Sequence, residues 1–187
     1  MKNTLYILFF AIGLASCGSD PVARPNGYMR IGLPDNEYSA LNLEGCSFKS
    51  SMNQEAKVVY KDSSNCWIDL VYPSIRSTIQ LTYKPVEGNL EELFRDAQKL
   101  AYKHTVKASG MREQFFAYDS TQVYGMYYEM SGASAATTQF YATDSTNHFL
   151  RGVLYHYSAP NPDSLAPVTA FMREEMLELI ANLSWNE

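Results

Sequence analysis

Alternating apolar and polar positions fill the middle of the chain and predict strands. Cys66 to Tyr72 (CWIDLVY) and Thr78 to Tyr83 (TIQLTY) both run with a period of two, and Pro73-Ser74 between them is turn chemistry. That pattern predicts a hairpin. Shorter candidates are Tyr28 to Leu33 and, after a polar stretch around Cys46, Val58 to Lys61. Later, Glu113 to Tyr118, Gln122 to Met130, Gln139 to Ala142 and Phe149 to Tyr157 predict further strands, with Asp144-Ser145-Thr146-Asn147 as the turn before the last.

Two segments carry the helical period instead. Asn89 with Glu92 three residues later reads as a capping box, and Leu90, Leu93, Phe94, Ala97, Leu100, Ala101 and His104 recur on one face, with Gly110 as the stop. Near the C-terminus, Asp163 or Ser164 reads as the cap of a second helix with Pro167 in its first turn. Val168, Phe171, Met172, Met176, Leu179, Ile180 and Leu183 make its apolar stripe. Strands, helix, strands, helix predict an α+β fold, an antiparallel β-sheet packed by two main α-helices. On element order alone this resembles the PsbP/Mog1-like sandwiches.

The first residues follow a different logic. Lys2 is followed by an uncharged apolar run, Leu5 to Leu14, and then by Ala15-Ser16-Cys17. A run of ten residues is too short to cross roughly 30 Å of hydrocarbon, which takes about 20 residues in a helix. It suits the apolar region of a secretory signal, where small residues mark the cleavage point. Leu14-Ala15-Ser16-Cys17 is similar to the bacterial lipobox, in which the cysteine sulfur takes a diacylglyceryl group and becomes the new N-terminus. An ordinary signal peptide with an incidental Cys17 is the alternative. The expected organisation is therefore a signal peptide over 1–16, a lipidated tether over 17–27 containing the Pro-rich SDPVARPN, and one α+β domain over 28–187. Two or more acyl chains, each buried methylene contributing about 0.8 kcal/mol, give stable attachment to a bilayer. Gly18 follows the cysteine and Asp20 comes only later. This favours the periplasmic face of the outer membrane over the inner membrane.

Charge changes the picture little. Lys2 is the only charge in the first 16 residues, so the remaining 171 carry 14 basic and 20 acidic side chains. An acidic balance argues against nucleic acid as a partner. With Cys17 assigned to lipid, Cys46 and Cys66 remain in a compartment where disulfides persist. They are a candidate bridge, with two buried free thiols as the alternative.

A search for chemistry finds no Gly-x-Ser-x-Gly elbow, P-loop, dinucleotide fingerprint or His-Glu-x-x-His motif. His104 falls on the apolar side of the first helix and reads as a satisfied, partly buried imidazole. His148 and His156 sit at the two ends of one strand, over about 25 Å apart, too far to share an ion. The expectation is a chain with no catalytic residues, no metal and no cofactor. Arg151 shares a strand face with Phe149, Val153 and Tyr155, which means either pairing with a carboxylate or contact with a partner or ligand. Tyr124, Met126, Tyr128 and Met130 lie on one side of another strand. They are either sheet core or, with Arg151, an interaction surface.

Several short segments in fixed order resemble the gliding-motility lipoprotein GldD family. After the lipobox come Arg24-Pro25-Asn26-Gly27-Tyr28-Met29-Arg30-Ile31, Cys66-Trp67-Ile68-Asp69-Leu70 with Tyr72-Pro73, and Leu81-Thr82-Tyr83-Lys84 with Asn89-Leu90. Ala101-Tyr102-Lys103-His104, Val123-Tyr124-Gly125, Gln139-Phe140-Tyr141, His148-Phe149-Leu150-Arg151-Gly152 and Pro160-Asn161-Pro162-Asp163-Ser164-Leu165 complete the series. The chain departs from the family in Ser-Phe-Lys after Cys46 and in the small-residue stretch Ala133 to Ala136. The resemblance implies an accessory component of a gliding apparatus linked to type IX secretion, with protein partners and no established catalytic residues. The rival readings are a periplasmic small-ligand- or lipoprotein-binding domain and, more remotely, an envelope hydrolase. Replacement of Cys17 by Ser is expected to block maturation by the lipoprotein-specific peptidase and release the protein from membranes. Fractionation checks this, and normal processing with membrane retention would contradict it.

Overall fold

The computed structural model describes residues 31–104, 108–159 and 161–186. The signal, Cys17, the tether and residues 28–30 of the first predicted strand lie outside them. Ile31 to Leu33 form no strand; pairing begins later, at β1 (Tyr38–Asn42). Next come β2 (Phe48–Asn53), β3 (Lys57–Asp62), β4 (Trp67–Tyr72) and β5 (Ser77–Pro85). Helix α1 (Leu90–Lys103) precedes β6 (Ala108–Tyr118), β7 (Val123–Gly132), β8 (Ala136–Thr143) and β9 (His148–His156). Helix α2 (Pro162–Ala181) and a short β10 (Ser184–Trp185) close the described chain. The fold is α+β.

Seven strands form one antiparallel sheet in the order β3-β4-β5-β9-β8-β7-β6, and three form a second, β1-β2-β10. The large sheet is two meanders, β3 to β5 and β6 to β9, joined where β5 pairs with β9 along its whole length. Connecting the central β5 to the edge strand β6 makes α1 a crossover on one face. The segment after the central β9 sends α2 across the other. Leu70, Ile79, Phe140, Leu150 and Leu154 face Val168, Met172, Met176 and Ile180 of α2 in the main core, which also takes in Leu41 and Phe48 of the small sheet. On the opposite face, Leu93, Ala97 and Ala101 of α1 bury against Phe149, Tyr128 and Met130. With both faces covered, β8 is buried at nearly every position. That explains why alternation revealed only Gln139 to Ala142 of it.

Local geometry departs from the sequence pattern at both helices. Asn89 holds the N-cap position of α1, but its side chain bonds no helix N–H; its Oδ1 accepts instead from the Glu87 N–H at 2.9 Å. The helix stops at Lys103, and Gly110 lies in β6 beside a register shift rather than at a helix end. Leu100, one of the expected core positions, is exposed. For α2 the cap is Asn161, whose side chain accepts from the Ser164 N–H at 3.2 Å, with Pro162 in the first turn. Pro167 therefore lies inside the helix. The helix begins earlier than its apolar stripe because the first turn needs only a cap and a preset φ.

Two constraints hold the architecture. Cys46, in the β1–β2 loop, and Cys66, at the start of β4, are joined with Cα atoms 5.6 Å apart, fastening the small sheet to the large one. In β9, Gly152 lies across from Phe140, and a Cβ there would come within 2.1 Å of the ring. The ring occupies the space that a side chain would need. Gly152→Ala is expected to cost about 1–3 kcal/mol through overpacking. Loss of the 20-residue crosslink in a Cys46→Ala/Cys66→Ala chain is expected to cost about 3 kcal/mol. Urea midpoints of the purified variants check both, and unchanged midpoints would contradict them.

Candidate functional site

The described residues hold no group of three or more His, Cys, Asp or Glu that could ligate a metal ion. No described helix is long and apolar enough to cross a membrane, which says nothing of strand-built membrane proteins. Among the described residues the fold builds a set of polar ties, an aromatic face and a cationic cleft, besides hollows along α2 and around Trp185.

Glu175 is, with Asp69, one of two acids only 3% exposed, and it lies on the apolar stripe of α2. The Tyr38 hydroxyl donates to its Oε1 at 3.0 Å and the Tyr72 hydroxyl to its Oε2 at 2.9 Å. Asn53 Nδ2 donates at 3.3 Å and also reaches the Asp35 carbonyl at 2.8 Å. Burial raises the Glu175 pKa against the lowering effect of these three donors. Burial and the carboxylate together push the Tyr38 pKa up to about 12. Sequence reasoning passed over Glu175, although its spacing of three from Met172 and four from Leu179 puts it on the buried face. Its role is structural: its partners come from both sheets, so it ties α2 to each of them.

The histidines are also engaged. His156 has Ser77 Oγ 2.8 Å from Nδ1 and Thr169 Oγ1 3.0 Å from Nε2, and burial lowers its pKa. His148 stacks on Trp185 with ring centroids 5.1 Å apart and has the Tyr83 hydroxyl 2.8 Å from Nδ1. His104 sits at the end of α1 with its ring edge-on to Tyr155. Burial, then the nearby Arg151, lowers its pKa.

The side of the large sheet that carries α1 is aromatic. Tyr141 stacks on Phe149 at 5.6 Å, and Phe94 of α1 packs on both. Beyond the helix, Phe94, Phe115, Tyr124, Tyr141 and Thr143 line an open hollow of about 390 Å³. Phe115, on the edge strand β6, is 64% exposed, the most exposed large apolar side chain among the described residues. Of the residues singled out from sequence, Tyr124 lines this hollow and Met126 is half-buried beside it. Tyr128 is 3% exposed beneath Ala101 and cannot meet a partner. Phe115 itself was missed because its strand alternates weakly.

Arg151 stands apart from that hollow. Its Nη2 donates to Gln139 Oε1 at 2.6 Å, and among the described residues it has no carboxylate within 4.0 Å. The expected pairing with an acid is therefore absent there, and an amide oxygen takes its place. Other charges do pair: Glu129 meets Arg112 at 2.7 Å and Arg173 at 3.6 Å, joining β6, β7 and α2.

Comparison with protein families settles the kinship. The family model described as gliding motility lipoprotein GldD matches residues 18–185. The chain belongs to the GldD family. GldD is a gliding-motility lipoprotein family and not a known enzyme family, and its members are membrane-associated. No curated protein matches the chain.

The Glu175 arrangement generates a signed expectation. Its folded-state pKa lies above the ordinary glutamate value, so the native state binds a proton more tightly than the unfolded chain. That contribution is present below the unfolded pKa and is lost as pH rises through the folded one. Glu175→Gln should flatten this loss, while Glu175→Ala, which strands two hydroxyls and an amide, should cost about 3 kcal/mol at neutral pH. Urea midpoints across the acid-to-neutral range check this. Equal pH slopes for wild type and Glu175→Gln would contradict it.

Proposed function

We propose that the chain is a non-catalytic, lipid-tethered accessory of the gliding machinery and its associated type IX secretion apparatus. It is held at a bilayer by acyl chains on Cys17 and docks protein partners through the aromatic face around Phe115. The observation that carries this reading is that face: a 64%-exposed phenylalanine on an edge strand, next to an apolar hollow, in a member of a gliding-motility family. Large apolar side chains grouped on a surface mark interaction sites. Aromatic side chains and methionine are enriched in protein interfaces. The edge strand β6 adds a row of unpaired backbone groups on its outer side, a template that a partner strand can extend.

Tethering supports the same reading. The family match starts at Gly18, one residue after the candidate lipid attachment point. Between Cys17 and the first described residue lie 13 residues with two prolines. In extended form such a stretch reaches roughly 40 Å at about 3.1 Å per residue, enough to let the domain meet membrane-embedded components from one leaflet. The periplasmic face of the outer membrane is our reading of the site of attachment.

Phe115→Asp separates docking from folding. An exposed substitution of this kind should change stability by no more than about 0.5 kcal/mol. Expressed in a strain lacking the native copy, it is expected to reach the membrane fraction at normal abundance yet fail to restore gliding or to crosslink to motility and secretion components. Full restoration of both by Phe115→Asp would overturn the docking face.

A further inference from the structure

Arg151 poses an imbalance that the docking reading does not absorb. It projects from the face of β9 that α1 covers, between Thr82 of β5 and Tyr141 of β8 in register. A guanidinium carries five N–H donors and no acceptor. Gln139 Oε1 takes one of them, and the same amide, only 1% exposed, has no acceptor for its Nε2. Because the amide oxygen must face the guanidinium, the buried amide and the half-buried guanidinium form a pair in which donors outnumber acceptors. Burial also lowers the Arg151 pKa, with no carboxylate among the described residues to offset it. A half-buried cation in this condition gains from an acceptor, preferably an anion, that completes it.

Space for such an acceptor adjoins it. A cleft of about 210 Å³ lies between α1 and strands β4, β5 and β9, with Arg151, Thr82, Lys84 and Phe149 on the sheet side and Leu93 and Ala97 on the helix side. Trp67 closes one end, fixed by its indole N–H donating to the Tyr83 carbonyl at 2.9 Å. A cavity of about 150 Å³ holds benzene, so this cleft admits a ring or a short chain together with a small polar head. Asp96 also lines it, and its negative charge disfavours a dianion such as phosphate.

We propose that this cleft binds a small monocarboxylate with an apolar body. The carboxylate sits on the free fork of Arg151 with help from the Thr82 hydroxyl and Lys84, and the body lies against Phe149, Leu93 and Trp67. Planar carboxylates match the guanidinium fork two bonds at a time. Gln139 acts as the positioning residue that holds the fork. The acid is either a free metabolite or the terminal carboxylate of a peptide, and the chemistry at Arg151 is the same for both.

Nuclear magnetic resonance on the ¹⁵N-labelled mature chain tests this with 3-phenylpropionate, N-acetylphenylalanine and neutral 3-phenylpropionamide. We expect the Arg151 Nε–H and Trp67 indole N–H resonances to shift saturably with an acid and not with the amide. Tighter binding of 3-phenylpropionate identifies a free acid as the ligand class, and tighter binding of N-acetylphenylalanine a peptide end. Arg151→Gln should weaken binding by at least about tenfold with the remaining resonances in place, since one charge-assisted fork exceeds 1.4 kcal/mol. Should that variant fold poorly, Lys84→Glu at the exposed mouth should weaken binding several-fold on an intact fold. No saturable shift up to about 10 mM of either acid, equal binding of the amide, or retained affinity in both variants would overturn the proposal.

Discussion

A carboxylate withdrawn from water at the centre of α2 organises this fold. Glu175 can stay buried only because two tyrosine hydroxyls and an asparagine amide converge on it, and those donors come from β1, β2 and β4. The small sheet, strand β4 of the large sheet and the long helix must therefore all be in place at once. A buried acid with no cation partner contributes less stability than an apolar side chain of the same shape, but its acceptors demand one arrangement of donors. Beside it, the Cys46–Cys66 bridge and the Ser50 hydroxyl, which donates to the Leu179 carbonyl at 2.6 Å, attach the small sheet by different chemistry. These ties commit the part of α2 around Glu175 and Leu179 to structure.

The other face is left unequal. Helix α1 is shorter than α2 and has to travel from a central strand to an edge strand, so it covers the middle of the sheet and ends there. Phe149, Tyr128 and Met130 lie beneath it, whereas Phe115 and Tyr124 emerge beyond its flank and Trp67 borders its other side. One crossover thus creates both features with functional content: the aromatic hollow on the β6 side and the cationic cleft on the β4 side. The proposed docking role and the proposed acid site occupy opposite margins of the same helix.

How much of this was legible in the sequence follows from where each element gets its order. Both helices and the β4–β5 hairpin are encoded locally, by an apolar stripe and a turn, and were readable as such. β1 and β2 were not, because YSALN and FKSSMN are largely polar and owe their pairing to contacts with α2 and to the disulfide. Gly110 looked like a helix stop, yet β6 captured it by pairing with β7. Arg151 was noticed for the right reason, a charge among apolar neighbours, but its acceptor is an amide on the adjacent strand, which no local spacing reveals. Glu175 and Phe115 were overlooked for opposite reasons: the first hid within a helical stripe, and the second stood on a strand whose pattern is too irregular to assign a face.

The central claim is that a tethered member of the GldD family meets its partners through the margin of the sheet around Phe115. The most direct measurement is photo-crosslinking in gliding cells, with a photoreactive residue at position 115 on edge strand β6 and, as the comparison, at position 59 on the opposite edge strand β3. Adducts with motility or secretion components are expected from position 115 and none from position 59, although Val59 is exposed as well. Adducts of equal yield from both edges, or from position 59 alone, would contradict it.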